Sequence, residues 1–214
     1  MRLLILACSA TKSEEAGRVP AFLRYQGPLW QTLRTVDAQD VTTCFLSAKF
    51  GFNTSTYPLP AYDARMTKEH AAEMIRLGTV EGTWPRTKPG TLPGFHALAV
   101  ISGITHHGDR PITEICICGG ELYLQVMRAF IEEFKAHGEL AQDIKVVEIN
   151  GGIGEMRHDL RAWLEKLTPR ELEYRAYAKE YGCSLEKAKL DVDGERGERP
   201  TQVDAFYERM EAAP

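Results

Sequence analysis

No stretch of this sequence stays apolar for the ~18 residues that a membrane helix needs. The opening run, residues 3–7, is five residues long, shorter than the hydrophobic centre of a secretory signal. Positive charge is not in excess either: 26 Lys and Arg stand against 30 Asp and Glu, a net charge of −4. That balance excludes bulk coating of a polyanion but not a local basic patch. The five cysteines are an odd number without disulfide-scaffold spacing, so free thiols and a reducing, cytoplasmic compartment are expected. No solenoid-type repeat, no G-x-G-x-x-G and no Walker Lys-Ser/Thr after the glycines is present, which removes the familiar dinucleotide and P-loop fingerprints.

What is present suits one sizeable α/β domain with a small appendage. The chain has 214 residues, 43% of them hydrophobic, enough to bury a core. Arg2–Ala7 reads as a strand covered on both faces, because its apolar residues are continuous rather than alternating. A loop through Gly27 and a helix over Pro28–Val36 follow, with proline in the first turn. Val41–Ser47 reads as a second strand, Gly51–Tyr62 as loop, and Lys68–Gly78 as a helix capped by Thr67. Residues 82–94 are a loop rich in Pro and Gly, Phe95–Ile101 reads equally as strand or helix, and 105–111 is loop. Ile112–Cys118 and Ile144–Ile149 are strands, each followed by glycines and a helix (Glu121–His137, and a second ending near Leu167). Alternating strands and helices predict a three-layer, mainly parallel sheet over residues 1–167. Residues 168–214 form a C-terminal helical extension: helices from Thr168 to Tyr181, over Ser184–Leu190 and over Thr201–Met210, with a charged, coreless run at 191–200.

Three strand ends carry the chemistry. Cys118 is followed by Gly119-Gly120, and Asn150 by Gly151-Gly152. Glycines admit close backbone approach, and a helix start offers unpaired N–H groups to an anion. A Gly-Gly pair alone is more often only a tight strand–helix turn; two pairs beside a polar first-strand end suggest a phosphate or carboxylate held in the crevice. That first strand ends in Cys8, Ser9 and, three residues on, Lys12. A cation there can steer an anion and favour a thiolate, although free cysteine is more often a small buried hydrophobe. Cys116 and Cys118 share a strand face that reads as core. No ligand pair at zinc spacing accompanies them, so no metal and no cofactor is expected. His106-His107 reads as a solvated loop, and Cys183 as incidental.

The stretch FLSAKFGF…PLPAYDARM, residues 45–66, resembles the YaaA-like superfamily. The matching features are Leu46-Ser47-Ala48, Phe50-Gly51, Ala61-Tyr62-Asp63 and Met66. The first-strand turn ACSATKS is similar to the Cys-Ser-x-x-Lys turn of smaller phage and bacterial relatives and of the related archaeosine synthase domain. GGIGEMRHDLRAWL resembles the family's late Gly-rich helix start. Ala61 stands where proline is common in the family, and Asp63 where arginine often stands. The resemblance covers about residues 1–165. It implies a fold like that of the uracil-DNA glycosylases, with a base pocket at the strand ends, and a role in nucleic acid, oxidative stress or modified-base metabolism.

A base pocket needs an aromatic face, polar groups for the base edge and an anion grip. Tyr62, Phe50 and Tyr25 are candidates to stack; Ser47, Asp63 and Asn150 to hydrogen-bond; Ser9, Lys12, Lys49, Gly119, Gly120, Gly151 and Gly152 to hold phosphate. Three readings follow. The first is an enzyme acting on a nucleotide or nucleobase, as glycosidase, transglycosylase or base-modifying transferase, with Cys8 as nucleophile, Asp63 as base or charge stabiliser and Ser47 assisting. The second is a non-catalytic nucleotide or nucleic-acid binder that also uses Arg157, His158, Arg161, Arg170 and Arg175. The third is a small-molecule transferase using the anion site for another phosphate. The expected partner is a nucleotide or nucleic acid and not a membrane; the oligomeric state stays open.

Overall fold

A computed structural model describes residues 1–38, 40–85, 94–107, 111–166, 174, 177, 178 and 180–195. The first of two units, Met1–Glu165, is built on β1, Arg2–Ala7, every residue of which is buried. Side chains alternate across a strand. Leu3, Ile5 and Ala7 therefore pack on one side of the sheet, while Leu4 and Leu6 pack on the other. Parallel neighbours flank β1: β3 (Val41–Ser47) on one side and β8 (Glu114–Cys118) on the other, with Ile5 opposite both Cys44 and Ile117. β9 (Lys145–Ile149) extends the sheet beyond β8, and β4 (Gly51–Thr54) closes the other edge, antiparallel to β3. The result is an α/β fold with a five-stranded, mostly parallel mixed sheet of order β4-β3-β1-β8-β9.

Helices cover both faces. α1 (Ala21–Arg24), α2 (Pro28–Arg34) and α6 (Ile153–Leu164) supply Tyr25, Trp30, Leu33, Leu160 and Trp163 to one layer or its border. α3 (Lys68–Glu81), α4 (Ala97–His107) and α5 (Glu121–Ala136) supply Met74, Ile101, Met127, Phe130 and Phe134 to the other. The chain thus leaves β1 toward β3 and later returns on β1's far side as β8. Such a reversal opens a crevice at the carboxyl ends of the two strands.

Three arginine and carboxylate contacts hold the frame. Arg2 bonds Asp40 at 2.7 Å and donates to the carbonyls of Trp163 and Leu164, tying the start of β1 to the end of α6. Arg24 is fully buried and donates to the carbonyls of Ser13, Glu15 and Gly17 at 2.7–2.9 Å and to that of Leu59 at 3.2 Å, so it pins the segment after β1. Thr67 caps α3 by accepting the His70 N–H. Gly78 then interrupts the helix at φ +63°, and the Glu133 carboxylate accepts the Thr79 N–H and hydroxyl at 2.6 and 2.7 Å beyond the break.

Several boundaries differ from the sequence reading. Residues 51–62 are not all loop: β4 pairs with β3, and β5 (Pro58–Leu59) pairs with β2 (Val19–Pro20). An edge strand can hold prolines that a central strand would reject. The segment before Gly27 contains β2 and α1. Phe95–Ile101 divides into β7 (Phe95–His96), paired with β6 (Thr83–Trp84), and the start of α4, which absorbs Thr105–His107.

The second unit, Lys166–Pro214, contains α7 (Leu185–Glu195). The helix runs past Leu190 because Val192 is buried, so the charged run is helical to Glu195. Tyr174 donates to Asp193 at 2.7 Å, and the Tyr177 and Tyr181 rings lie 4.4 Å apart. The expected helices at 168–181 and 201–210 fall largely outside the described residues, as do 86–93, 108–110 and 196–200. Among the described residues, no helix is long and apolar enough to cross a membrane.

Candidate active site at the strand tips

The carboxyl ends of β1 and β8 meet so closely that a Cβ on Gly119 would lie 2.5 Å from that of Ala7. Cys8 continues β1 by one residue, its N–H donating to Leu46 O at 2.9 Å. Its half-buried sulfur hydrogen-bonds the Tyr123 hydroxyl at 3.1 Å. A cleft of about 220 Å³ opens here, walled by Cys8, Ser9, Trp30, Gly120, Tyr123 and Ile153 among others. Ligand pockets commonly span roughly 300–1,000 Å³; this one has room for a ring or a small polar group rather than a dinucleotide. Trp30 is set by its indole N–H, which donates to Ala7 O at 3.0 Å.

Beside the cleft lies a cluster of hydroxyls. Tyr62 Oη is 2.6 Å from Tyr25 Oη and 2.9 Å from Ser47 Oγ. Ser47 Oγ also accepts the N–H groups of Lys49 and Phe50 at 3.1 and 3.2 Å. Burial pushes the Tyr62, Tyr123 and Tyr25 phenols above their usual range; a charge on Cys8 pushes each further, after that of Tyr62 in the case of Tyr25. These phenols therefore stay protonated at neutral pH and can donate. When Cys8 is a thiolate, Tyr123 must be the donor between them. Lys12 Nζ sits 4.4 Å from the Tyr62 ring centroid, and Lys49 Nζ 5.8 Å from it.

The glycine pairs sit at the starts of α5 and α6, with Gly120 and Gly152 in the cap positions. Each start already carries a carboxylate in its first turn, Glu121 or Glu155. Glu121 accepts from Asn150 Nδ2 at 3.2 Å and pairs with Arg128, which also pairs with Glu148. The Glu155 carboxylate lies against Gly151, whose N–H is taken by Asn150 Oδ1 at 2.8 Å. A negative side chain at a helix start competes with an incoming anion for the same field.

The structure thus brings Cys8, Ser9, Gly119 and Gly120 together at the cleft, and Ser47, Tyr62, Lys12 and Lys49 at the hydroxyl cluster. Asn150, Gly151 and Gly152 are exposed at the α6 start. Asp63 is exposed next to Tyr62, with no hydrogen bond or ion pair among the described residues. Ser47 is fully buried, as is Tyr25, and Phe50 is nearly so; neither ring offers an open face for stacking. Lys12 occupies one face of Tyr62. Arg157 and Arg161 are turned toward the Thr32 and Thr35 hydroxyls of the neighbouring α2 segment, while Arg170 and Arg175 lie outside the described residues. His106 lies on α4, bonded to Ser102 O and 3.6 Å from Glu139. Cys116 and Cys118 share the core layer under α1, α2 and α6. Among the described residues, no group of three or more His, Cys, Asp or Glu is arranged to hold a metal ion.

Sequence reasoning missed Tyr123, Trp30 and Arg24. The position of Tyr123, in the first turn after Gly119-Gly120, was the available signal for it: a first-turn side chain leans back toward the strand tip. No protein-family model, curated protein or solved structure matches the chain.

Proposed function

We propose that this protein is an enzyme acting on a nucleobase or nucleotide, with Cys8 as the nucleophile. The carrying observation is the placement of a half-buried thiol, 3.1 Å from a protonated phenol, on the wall of a ring-sized cleft at the strand reversal. The resemblance of the ACSATKS and FLSAKFGF stretches to YaaA-like proteins, and through them to the uracil-DNA-glycosylase fold, supports the same location. The base enters between Tyr123, Gly120 and Ile153. The thiolate attacks an electrophilic ring or substituent carbon, and a new C–S bond forms as the carbon's π electrons move onto its neighbouring nitrogen, which takes a proton from solvent; a water that gives its proton to a base then adds to the same carbon, and the C–S bond breaks to return the thiolate. Tyr123 donates to sulfur before attack, and Asp63 serves as a base from the exposed side. Ser47 holds Tyr62 and does not meet the substrate.

The test is turnover and intact mass over a panel of nucleobases, nucleotides and oligonucleotides. Cys8→Ser abolishes turnover and removes a substrate-derived adduct; Asp63→Asn lowers turnover and leaves binding. Salt-steep oligonucleotide binding with no product after long incubation would instead favour the non-catalytic binder.

A further inference from the structure

The polar side chains on the cleft wall have partners, with one exception. Cys8 and Tyr123 bond each other, and the Trp30 indole N–H goes to Ala7 O at 3.0 Å. The exception is Ser9. It is only 9% exposed, and its hydroxyl forms no hydrogen bond among the described residues. A buried hydroxyl without a partner costs stability, and each such group calls for a reason. Gly27, on the same wall, makes room for it: a Cβ there would lie 2.2 Å from Ser9 Oγ. The hydroxyl is thus seated in the lining of the cleft that holds the Cys8 sulfur, with its proton uncommitted.

A second source of donors ends on this wall. α5 is 16 residues long, and Gly120, which lines the cleft, caps it without a side chain. The first N–H groups of a helix have no acceptor within it, and their field favours negative charge. The Glu121 carboxylate is not part of the lining; Arg128 and Asn150 hold it on the exposed side. None of the residues lining the cleft is Asp, Glu, Lys, Arg or His. The wall therefore offers neutral donors and no opposite charge. That suits a group that enters uncharged and gains negative charge as it reacts, rather than a phosphate that arrives fully charged.

We infer that the Ser9 hydroxyl, backed by the amino end of α5, is the donor that stabilises the negative charge formed when Cys8 attacks an unsaturated carbon. This rests on Cys8 as the nucleophile, and it reassigns Ser9 from a phosphate ligand to the reacting atom. As the C–S bond forms, the carbon's π pair moves onto the attached nitrogen or oxygen. Ser9 donates a hydrogen bond to that atom and keeps its own proton; the atom is protonated from solvent. A donor fixed before the reaction needs no reorganisation as the charge appears. The tip of β1 then supplies both the nucleophile and its charge-stabilising neighbour. The ligand class follows: a ring-sized group with an uncharged carbon–nitrogen or carbon–oxygen multiple bond.

The experiment compares two reagents on Cys8 in the full chain, as wild type, Ser9→Ala and Cys8→Ser. With p-nitrophenyl acetate, the thiolate attacks the ester carbon and the π pair moves onto the carbonyl oxygen. That pair returns as the bond to p-nitrophenolate breaks, leaving the acetyl group on sulfur. With iodoacetamide, sulfur displaces iodide and no such charge forms. Both products are followed by mass spectrometry and fragmentation of the peptide containing Cys8. Ser9→Ala should slow acetylation roughly ten- to a hundredfold, the range of a hydrogen bond to a charged group, and leave alkylation unchanged. Its melting temperature should equal that of wild type, because the hydroxyl has no partner to lose. Cys8→Ser should take up neither label at this position. The inference is overturned if Ser9→Ala is acetylated as fast as wild type, if it slows both reagents equally, or if wild type is alkylated but never acetylated. A fall in melting temperature that accompanies Ser9→Ala would also overturn it, by making the hydroxyl structural. Acetylation that depends on Ser9, with no turnover over the nucleobase and nucleotide panel, would sink the enzyme reading and leave the donor site standing. Wild-type Cys8 inert to both reagents would sink both.

Discussion

Replacing Arg24 by methionine tests whether the segment after β1 is held as described. The guanidinium has no carboxylate partner in its bonds; its three shortest go to the carbonyls of Ser13, Glu15 and Gly17 at 2.7, 2.9 and 2.8 Å. Hydrogen bonds to a charged group contribute about 1.5–3 kcal/mol each, so their gross loss is large. Two effects offset it. Glu15 and Gly17 are exposed, so their carbonyls regain water. Methionine also spares the cost of burying a guanidinium, several kcal/mol for an ion. The net loss should be about 2–4 kcal/mol, which for a unit of this size lowers the melting temperature by roughly 5–15 °C. A second signature is local. Ser13 N–H bonds Arg24 O and Gln26 N–H bonds Thr11 O, so both amides should lose hydrogen-exchange protection well before those of β1. If melting moves by less than 1 °C and the two amides stay protected, Arg24 does not organise this segment.

Asp40 gives the acid limb of stability. Burial raises its carboxyl, but the hydrogen bonds and charge of Arg2 outweigh it and hold the group below the usual range. Its contribution is complete above the unfolded value of about 3.9 and is lost as pH falls through the lower folded value; Asp40→Asn should flatten stability against pH below about pH 4, measured by urea unfolding. Among the cysteines, burial pushes Cys44 and Cys116 up strongly and Cys118 up to about 12. Native protein should therefore label quickly with a thiol reagent only at the half-buried Cys8 and Cys183, and labelling of Cys118 before unfolding would contradict the packing. Tyr123→Phe removes a donor to the Cys8 thiolate while keeping the ring, so alkylation of Cys8 by iodoacetamide at pH 7 should slow about tenfold, with melting little changed.

The buried strands were legible because burial on both faces leaves a continuous apolar run: β3 matched the expected Val41–Ser47, and β1 the expected Arg2–Ala7. α4 was ambiguous because ALAVISGI fits a buried strand or a buried helix, and only length separates them. β4 and β5 were hidden because short edge strands tolerate Gly and Pro, and their partners lie outside the local window. The gathering at the strand tips was readable as a set of polar strand ends. Its inner order was not. That Ser47 would spend its oxygen on two amides, or that Lys12 would cover Tyr62, depends on turn geometry. The glycine pairs looked like anion cradles because a Gly-Gly helix start does favour anions; Glu121 and Glu155 compete for that field from one and three residues further on.

The most direct measurement is peptide mass spectrometry after incubation with the nucleobase and nucleotide panel, following the tryptic peptide Leu3–Lys12 that contains Cys8. A substrate-derived mass on Cys8, formed during turnover, slower to appear once Tyr123 is phenylalanine and absent once the reaction has run out, is the expected result. Turnover at the wild-type rate by Cys8→Ser, with the peptide unmodified throughout, would contradict it.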